Sequence, residues 1–86
     1  MSDRPLTVRV QLFAVARQLA GRETVVVSLA EPATVGQLRR ALGEQFPALA
    51  SVLPHVMFAV NAEYADDQAV IPAGAQVACI PPVSGG

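Results

Sequence analysis

The chain has 86 residues with a net charge of −1, and it contains six arginines, no lysine, one cysteine and one histidine. That length suits one small domain with a modest core, and so little net charge without a basic run excludes the phosphate neutralisation that nucleic-acid binding requires. A lone cysteine and a lone histidine leave no internal disulfide and no metal cluster, and the absence of lysine excludes Schiff-base chemistry and isopeptide branching on the chain's own side chains.

Residues 6–12 alternate apolar and polar with period two, the pattern of a strand with one buried and one wet face. Residues 13–20 read as a short helix closed by Gly21, which accepts the left-handed conformation at a helix end. Residues 24–29 are rich in β-branched side chains and predict a second strand beside the first. Thr34 stands three residues before Gln37, the spacing of a capping box, and opens the main helix. Along it Val35, Leu38, Ala41, Leu42 and Phe46 recur at helical spacing and face the core, while Arg39, Arg40 and Glu44 are expected to face water. Pro47 ends it, and residues 48–53 are expected to form one more helical turn stopped by Pro54.

A third strand is predicted at residues 56–60, with Val56, Phe58 and Val60 on one face and Met57 and Ala59 on the other. Residues 61–64 are read as a turn, residues 66–67 as a polar loop, Val70 and Ile71 as a short edge strand, and Pro72, Ala73 and Gly74 as a turn. The last strand covers residues 75–80, with Val77 and Cys79 on one face and Ala78 and Ile80 on the other. No run of apolar residues approaches the roughly 20 of a membrane helix, and the first five residues open no leader, so a soluble cytoplasmic protein is expected. The order ββαβ(β)β predicts an α+β fold in which a mixed sheet packs one face on the helix and leaves the other open, a β-grasp. The domain is expected to span residues 1–80.

Residues 81–86 then read Pro81, Pro82, Val83, Ser84, Gly85, Gly86. Two prolines do not continue a ladder and favour an extended conformation, so these residues are expected to form an arm. At roughly 3.1 to 3.6 Å per residue it reaches about 20 Å, and the final pair, lacking Cβ, passes through a channel too narrow for side chains.

Ile80 and this ending resemble the terminal signature of the molybdopterin synthase small subunit, a family of ubiquitin-like sulfur carriers. Leu12, Phe13 and Ala14 with residues 17–21 are similar to that family's opening, as is Val60 with Asn61 ahead of the acidic loop; Gln18 stands where the family often has Glu. The resemblance covers residues 6–86 and implies the ubiquitin-like strand order. It also implies a function: a non-catalytic sulfur-donor subunit for molybdenum cofactor biosynthesis. An E1-like adenylyltransferase using ATP and Mg would adenylate the carboxylate of Gly86, and a sulfur donor protein would convert it to a thiocarboxylate. The large subunit, which would hold the catalytic residues, would receive the arm and pass the sulfur to a cyclic pyranopterin. No cofactor is expected to stay bound to the chain.

Pro81, Pro82, Val83, Ser84 and Gly85 are then the recognition segment. Met57, Ala59 and Ile80, on the face opposite the helix, are the expected partner interface, since an uncovered apolar patch usually marks one. Cys79 as a persulfide relay is weighed against a buried small hydrophobe, and the second is favoured by its inward position. His55 is read as a turn residue, and Asp66 with Asp67 as a solvated turn with too few oxygens for a metal cage. Two other functions remain: a carrier for thiamine thiazole or amino-acid sulfuration, and a ubiquitin-like binding module whose tail is never activated.

Overall fold

The computed structural model describes residues 5–82. Strand β1 (Pro5–Leu12) is followed by helix α1 (Ala14–Ala20), strand β2 (Thr24–Ala30), helix α2 (Val35–Gln45), and strands β3 (Met57–Val60), β4 (Glu63–Ala65) and β5 (Gln76–Ile80). The strands form one sheet in the order β2-β1-β5-β3-β4. Its centre is a parallel pair, β1 with β5, in the register Arg9 to Gln76 through Leu12 to Cys79, and every other pairing is antiparallel. This is the expected β-grasp.

The alternation in β1 is realised residue by residue: Leu6, Val8, Val10 and Leu12 are buried and the residues between them exposed. Val25 and Val27 of β2, Phe58 of β3, and Val77 and Cys79 of β5 join them on the same side. There α2 lays Val35, Leu38, Ala41 and Leu42 against the sheet, so a single core lies between the helix and one sheet face. Gly21 closes α1 with φ 73°, the left-handed geometry a Cβ would strain. The capping box is complete: the Thr34 N–H donates to Gln37 Oε1 at 2.9 Å, and the Gln37 N–H donates to Thr34 Oγ1 at 3.2 Å.

Three expectations about the segment after α2 are corrected. Residues 48–53 do not form an α-helical turn; two short 3₁₀ turns, Pro47–Leu49 and Leu53–His55, replace it, and Pro54 sits inside the second, where its missing N–H costs nothing. Glu63 and Tyr64 are not a turn but the start of β4. The two-residue connection Asn61–Ala62, both at positive φ, reverses the chain tightly enough for Val60 to face Glu63. Val70 makes only an isolated bridge to Thr34, and the Ile71 N–H donates to Ala33 O at 2.8 Å, so these residues pair with the entrance of α2 instead of the sheet edge.

The fourth correction is Arg39, which does not face water. Its Nη1 donates to Leu53 O and to Val56 O, the latter at 2.9 Å, its Nη2 donates to Asp67 Oδ1 at 2.8 Å, and its guanidinium lies 5.1 Å from the centroid of the Phe58 ring. One side chain thereby ties α2 to the strand leading into β3 and to the loop after β4. The same loop caps α2, with the Gly36 N–H donating to Asp67 O at 2.9 Å and the Val35 N–H to Ala69 O at 3.0 Å. A Cβ on Gly36 would stand 3.2 Å from Asp67 O, so any larger residue there would push this loop back by a few tenths of an ångström. Arg39→Ala leaves two carbonyls and a half-exposed carboxylate without their donor, and is expected to lower unfolding free energy by about 2–3 kcal/mol, with Asp67→Asn costing under about 1 kcal/mol. Urea denaturation of both variants measures this; equal, negligible losses would show that the clamp holds nothing.

Candidate functional site

On the sheet face opposite α2, β3 and β5 lie side by side with Met57 opposite Ile80 and Ala59 opposite Ala78. Tyr64 of β4 stands opposite Ala59. Met57 is 49% exposed and Tyr64 68%, Ile80 and Ala78 are half-buried, and Ala59 is 8% exposed because its methyl lies between Tyr64 and Ala78. The face is therefore apolar and uncovered at its rim, with Ala59 as its floor.

Phe13 was not expected here. It follows Leu12, the register partner of Cys79, and its N–H donates to Cys79 O at 3.2 Å, which holds it beside the end of β5. It is 39% exposed. It continues the outward series Arg9, Gln11 past the strand's end, but only the pairing of β1 with β5 brings it to this face. Tyr64 was missed because residues 61–64 read as a turn.

After Ile80, Pro81 is buried and Pro82 is exposed. Val83, Ser84, Gly85 and Gly86 lie outside the described residues. The surface around the end of β5 is edged by Phe13, Met57 and Ile80. Toward β2 the same sheet face turns polar, with Thr7, Arg9, Gln11, Thr24 and Gln76 around a shallow depression.

No other group in the described residues offers chemistry. Cys79 is fully buried on the helix side, and burial pushes its thiol up to about 11, partly offset by the positive charge of Arg39. A thiol so placed stays protonated near neutral pH and has no access to a sulfur donor. His55 is exposed at the end of a 3₁₀ turn. Asp67 is paired with Arg39, and Asp66 Oδ1 accepts from the Gln68 N–H at 3.0 Å, so both acids are used by the fold. Among the described residues no three His, Cys, Asp or Glu side chains gather as a metal site, and no helix is long and apolar enough to cross a membrane.

The Cys79 environment gives a measurable outcome. Between the ordinary thiol value of 9.0 and about 11, the unfolded chain has lost a proton that the folded chain keeps, so raising the pH favours unfolding. Cys79→Ala is expected to cost about 1–2 kcal/mol near neutral pH and to leave sulfur transfer intact. The wild-type advantage should then shrink above pH 9, with a slope approaching about 1.4 kcal/mol per pH unit. Denaturant titrations of both proteins from pH 7 to 10 check it; a pH-independent difference would contradict the buried-thiol assignment, and lost transfer in a folded variant would restore the relay.

The ThiS family's sequence profile matches residues 10–86. The chain is 35% identical over 79 residues to a molybdopterin synthase sulfur carrier subunit of Arabidopsis thaliana, covering 92% of this chain and 82% of that protein. It is 33% identical over 82 residues to the human protein of the same name, covering 92% and 93%. Among solved structures, SAMP1 of Haloferax volcanii superposes with a TM-score of 0.82 at 35% identity, covering 93% of this chain and 99% of that one.

Proposed function

The chain belongs to the ThiS family, and on that premise we propose that it is the sulfur carrier subunit of a molybdopterin synthase, working through the carboxylate of Gly86. The observation that carries the reading is the likeness to carriers of that name along nine-tenths of the chain. The geometry supplies a physical reason for it. The strand that leads to the terminus lies at the centre of the sheet, and the residues around its end, Phe13, Met57 and Ile80, form an uncovered apolar surface.

A carboxylate is ionised at neutral pH and its oxygen is a poor leaving group, so it does not exchange oxygen for sulfur unaided. In the proposed cycle a carboxylate oxygen of Gly86 attacks the α-phosphate of Mg-ATP, releasing pyrophosphate and leaving an acyl-adenylate. A persulfide on a donor protein attacks the acyl carbon and displaces AMP, and a thiol then cleaves the acyl disulfide so formed, leaving a thiocarboxylate on Gly86 and a disulfide on the thiol side. The large subunit then takes the arm into its own site, where the thiocarboxylate sulfur bonds to a cyclic pyranopterin, and water hydrolyses the thioester so formed, leaving the sulfur on the pterin and returning the carrier as a carboxylate. Activation is the work of an E1-like adenylyltransferase and catalysis that of the large subunit; this chain supplies the arm, a docking face and no catalytic side chain. We place this cycle in the cytoplasm.

The docking role divides the residues. Pro81 anchors the start of the segment in the domain, and Pro82, Val83, Ser84 and Gly85 are the residues the partners recognise on the way to Gly86. Met57, Ile80 and Phe13 supply the apolar contact, with Ala59 beneath them. Both partners must receive the same arm and so compete for the same face.

A second reading comes from the H. volcanii likeness, since a further crystal structure, 32% identical to this chain, is that of a protein named small archaeal modifier protein 1. An activated terminal carboxylate can equally acylate an amine on another protein. Immunoblots for conjugates of a tagged chain distinguish the two, because a carrier stays free and a modifier appears in heavier bands that vanish when Gly86 is removed.

Two outcomes test the carrier reading. Removing Gly86, or adding one residue after it, is expected to abolish sulfur transfer in a reconstituted synthase while circular dichroism stays unchanged; full transfer by an uncleaved extension would contradict it. Ile80→Asp or Met57→Asp is expected to weaken binding to both the activating enzyme and the large subunit by roughly 10- to 100-fold, because a charge is placed in a desolvated contact. Calorimetry against each partner reads this, and simultaneous binding of both partners would overturn the shared face.

A further inference from the structure

The two edges of the sheet are built differently. β4 has three residues and begins with a charge, Glu63. β2 has seven, Thr24–Ala30, with no charge and no proline, and pairs with β1 in unbroken register, so no bulge bends it. Short, charged or bulged edges resist pairing with another chain, and a long regular one invites it.

The ladder shows which groups are free. The Leu12 N–H donates to Glu23 O at 2.7 Å, which fixes Leu12 with Glu23 as a hydrogen-bonded pair and, by alternation, Val10 with Val25, Val8 with Val27 and Leu6 with Leu29. Thr24, Val26, Ser28 and Ala30 therefore direct their N–H and C=O groups away from β1. Among the described residues these groups make no hydrogen bond to another part of the chain. Val26, at the middle of this edge, is 51% exposed.

We propose that β2 pairs with β2 of a second copy of this chain, antiparallel about a two-fold axis at Val26, joining the two sheets edge to edge. In this register Val26 meets Val26 of the other copy and Thr24 meets Ser28, so the exposed valines cover each other. Arg22 arrives at the strand end that carries Glu31, an opposite charge. Sliding the strands one ladder step one way sets Glu23 against Glu31, a like-charge pair, and sliding them the other way sets Val26 against Thr24, so that the exposed valines no longer cover each other; the two together favour the first register. A net charge of −1 per copy adds little repulsion. A seven-residue pairing is small for an interface, so the dimer forms reversibly, with dissociation at roughly 10 µM to 1 mM. β1 separates β2 from β5, which leaves the end of β5 about 10 Å from the new contact.

Sedimentation equilibrium of the full chain from about 10 µM to 1 mM tests this, together with Val26→Lys, which sets two ammonium groups against each other at the axis and alters only an exposed side chain. The wild type is expected to approach twice the monomer mass while Val26→Lys stays monomeric with an unchanged melting temperature. Amide exchange at Val26 and Ser28 should slow as wild-type concentration rises, with exchange at Met57 and Ala59 unaffected; this readout decides the matter if the variant fails to fold. A wild type that remains monomeric at the top concentration overturns the proposal. So does concentration-dependent protection at Met57 and Ala59 in place of β2, which would put self-association on the tail face.

Discussion

The parallel pairing of β1 with β5 is the constraint on which the rest of this structure depends. It joins the first strand of the chain to the last, and parallel neighbours cannot be linked by a tight turn, so everything between them must be packed as a crossover. α2 fills that role beneath the sheet, and β2 and β3 extend the sheet on either side of the central pair. Closing so long a loop is entropically costly until the non-local contacts form. Burial of Val8, Val10, Leu12, Val77 and Cys79 against α2 provides the return.

The same pairing positions the exit of the C-terminal segment. Because β1 and β5 point the same way, the end of β1, where Phe13 turns into α1, lies beside the end of β5. The antiparallel partner β3 brings Met57 to the same place from the other side. Arg39 keeps that partner in position, since it holds the carbonyls of Leu53 and Val56 immediately before β3 and the carboxylate of Asp67 after β4. One cation on the helix side of the sheet thus holds in place the strand whose Met57 and Ala59 face the other side.

Much of this was legible in the sequence because it is local. The alternation of β1, the capping box at Thr34 and Gln37, the left-handed stop at Gly21 and the division of β3 and β5 into inward and outward residues all follow from short-range rules, and the structure follows them. What failed was long-range. Arg39 occupies a helix position that periodicity assigns to solvent, and its burial is made favourable by distant partners, the carbonyls of residues 53 and 56 and the carboxylate of Asp67. Tyr64 was misread because Asn61–Ala62 reverses the chain without the Asn-Gly pair that usually marks such a hairpin. Val70 looked like an edge strand because β-branching records propensity and not the partner, which is Thr34. For the site, Met57 and Ile80 were readable from parity, whereas Phe13 required knowing that β1 and β5 are neighbours.

The most direct test of the central claim is the chemical state of Gly86 in the cell. Protein isolated from cells making the cofactor can be denatured, alkylated and cleaved after Glu63, giving a peptide from Tyr64 to Gly86 that contains no methionine and only Cys79 as a thiol. A thiocarboxylate is itself alkylated, so a fraction of this peptide is expected to carry two alkyl groups, one of them at the terminus, and to lose the second when the activating enzyme is deleted. A peptide that carries a single alkyl group, at Cys79 alone, in cells actively producing the cofactor would contradict the account.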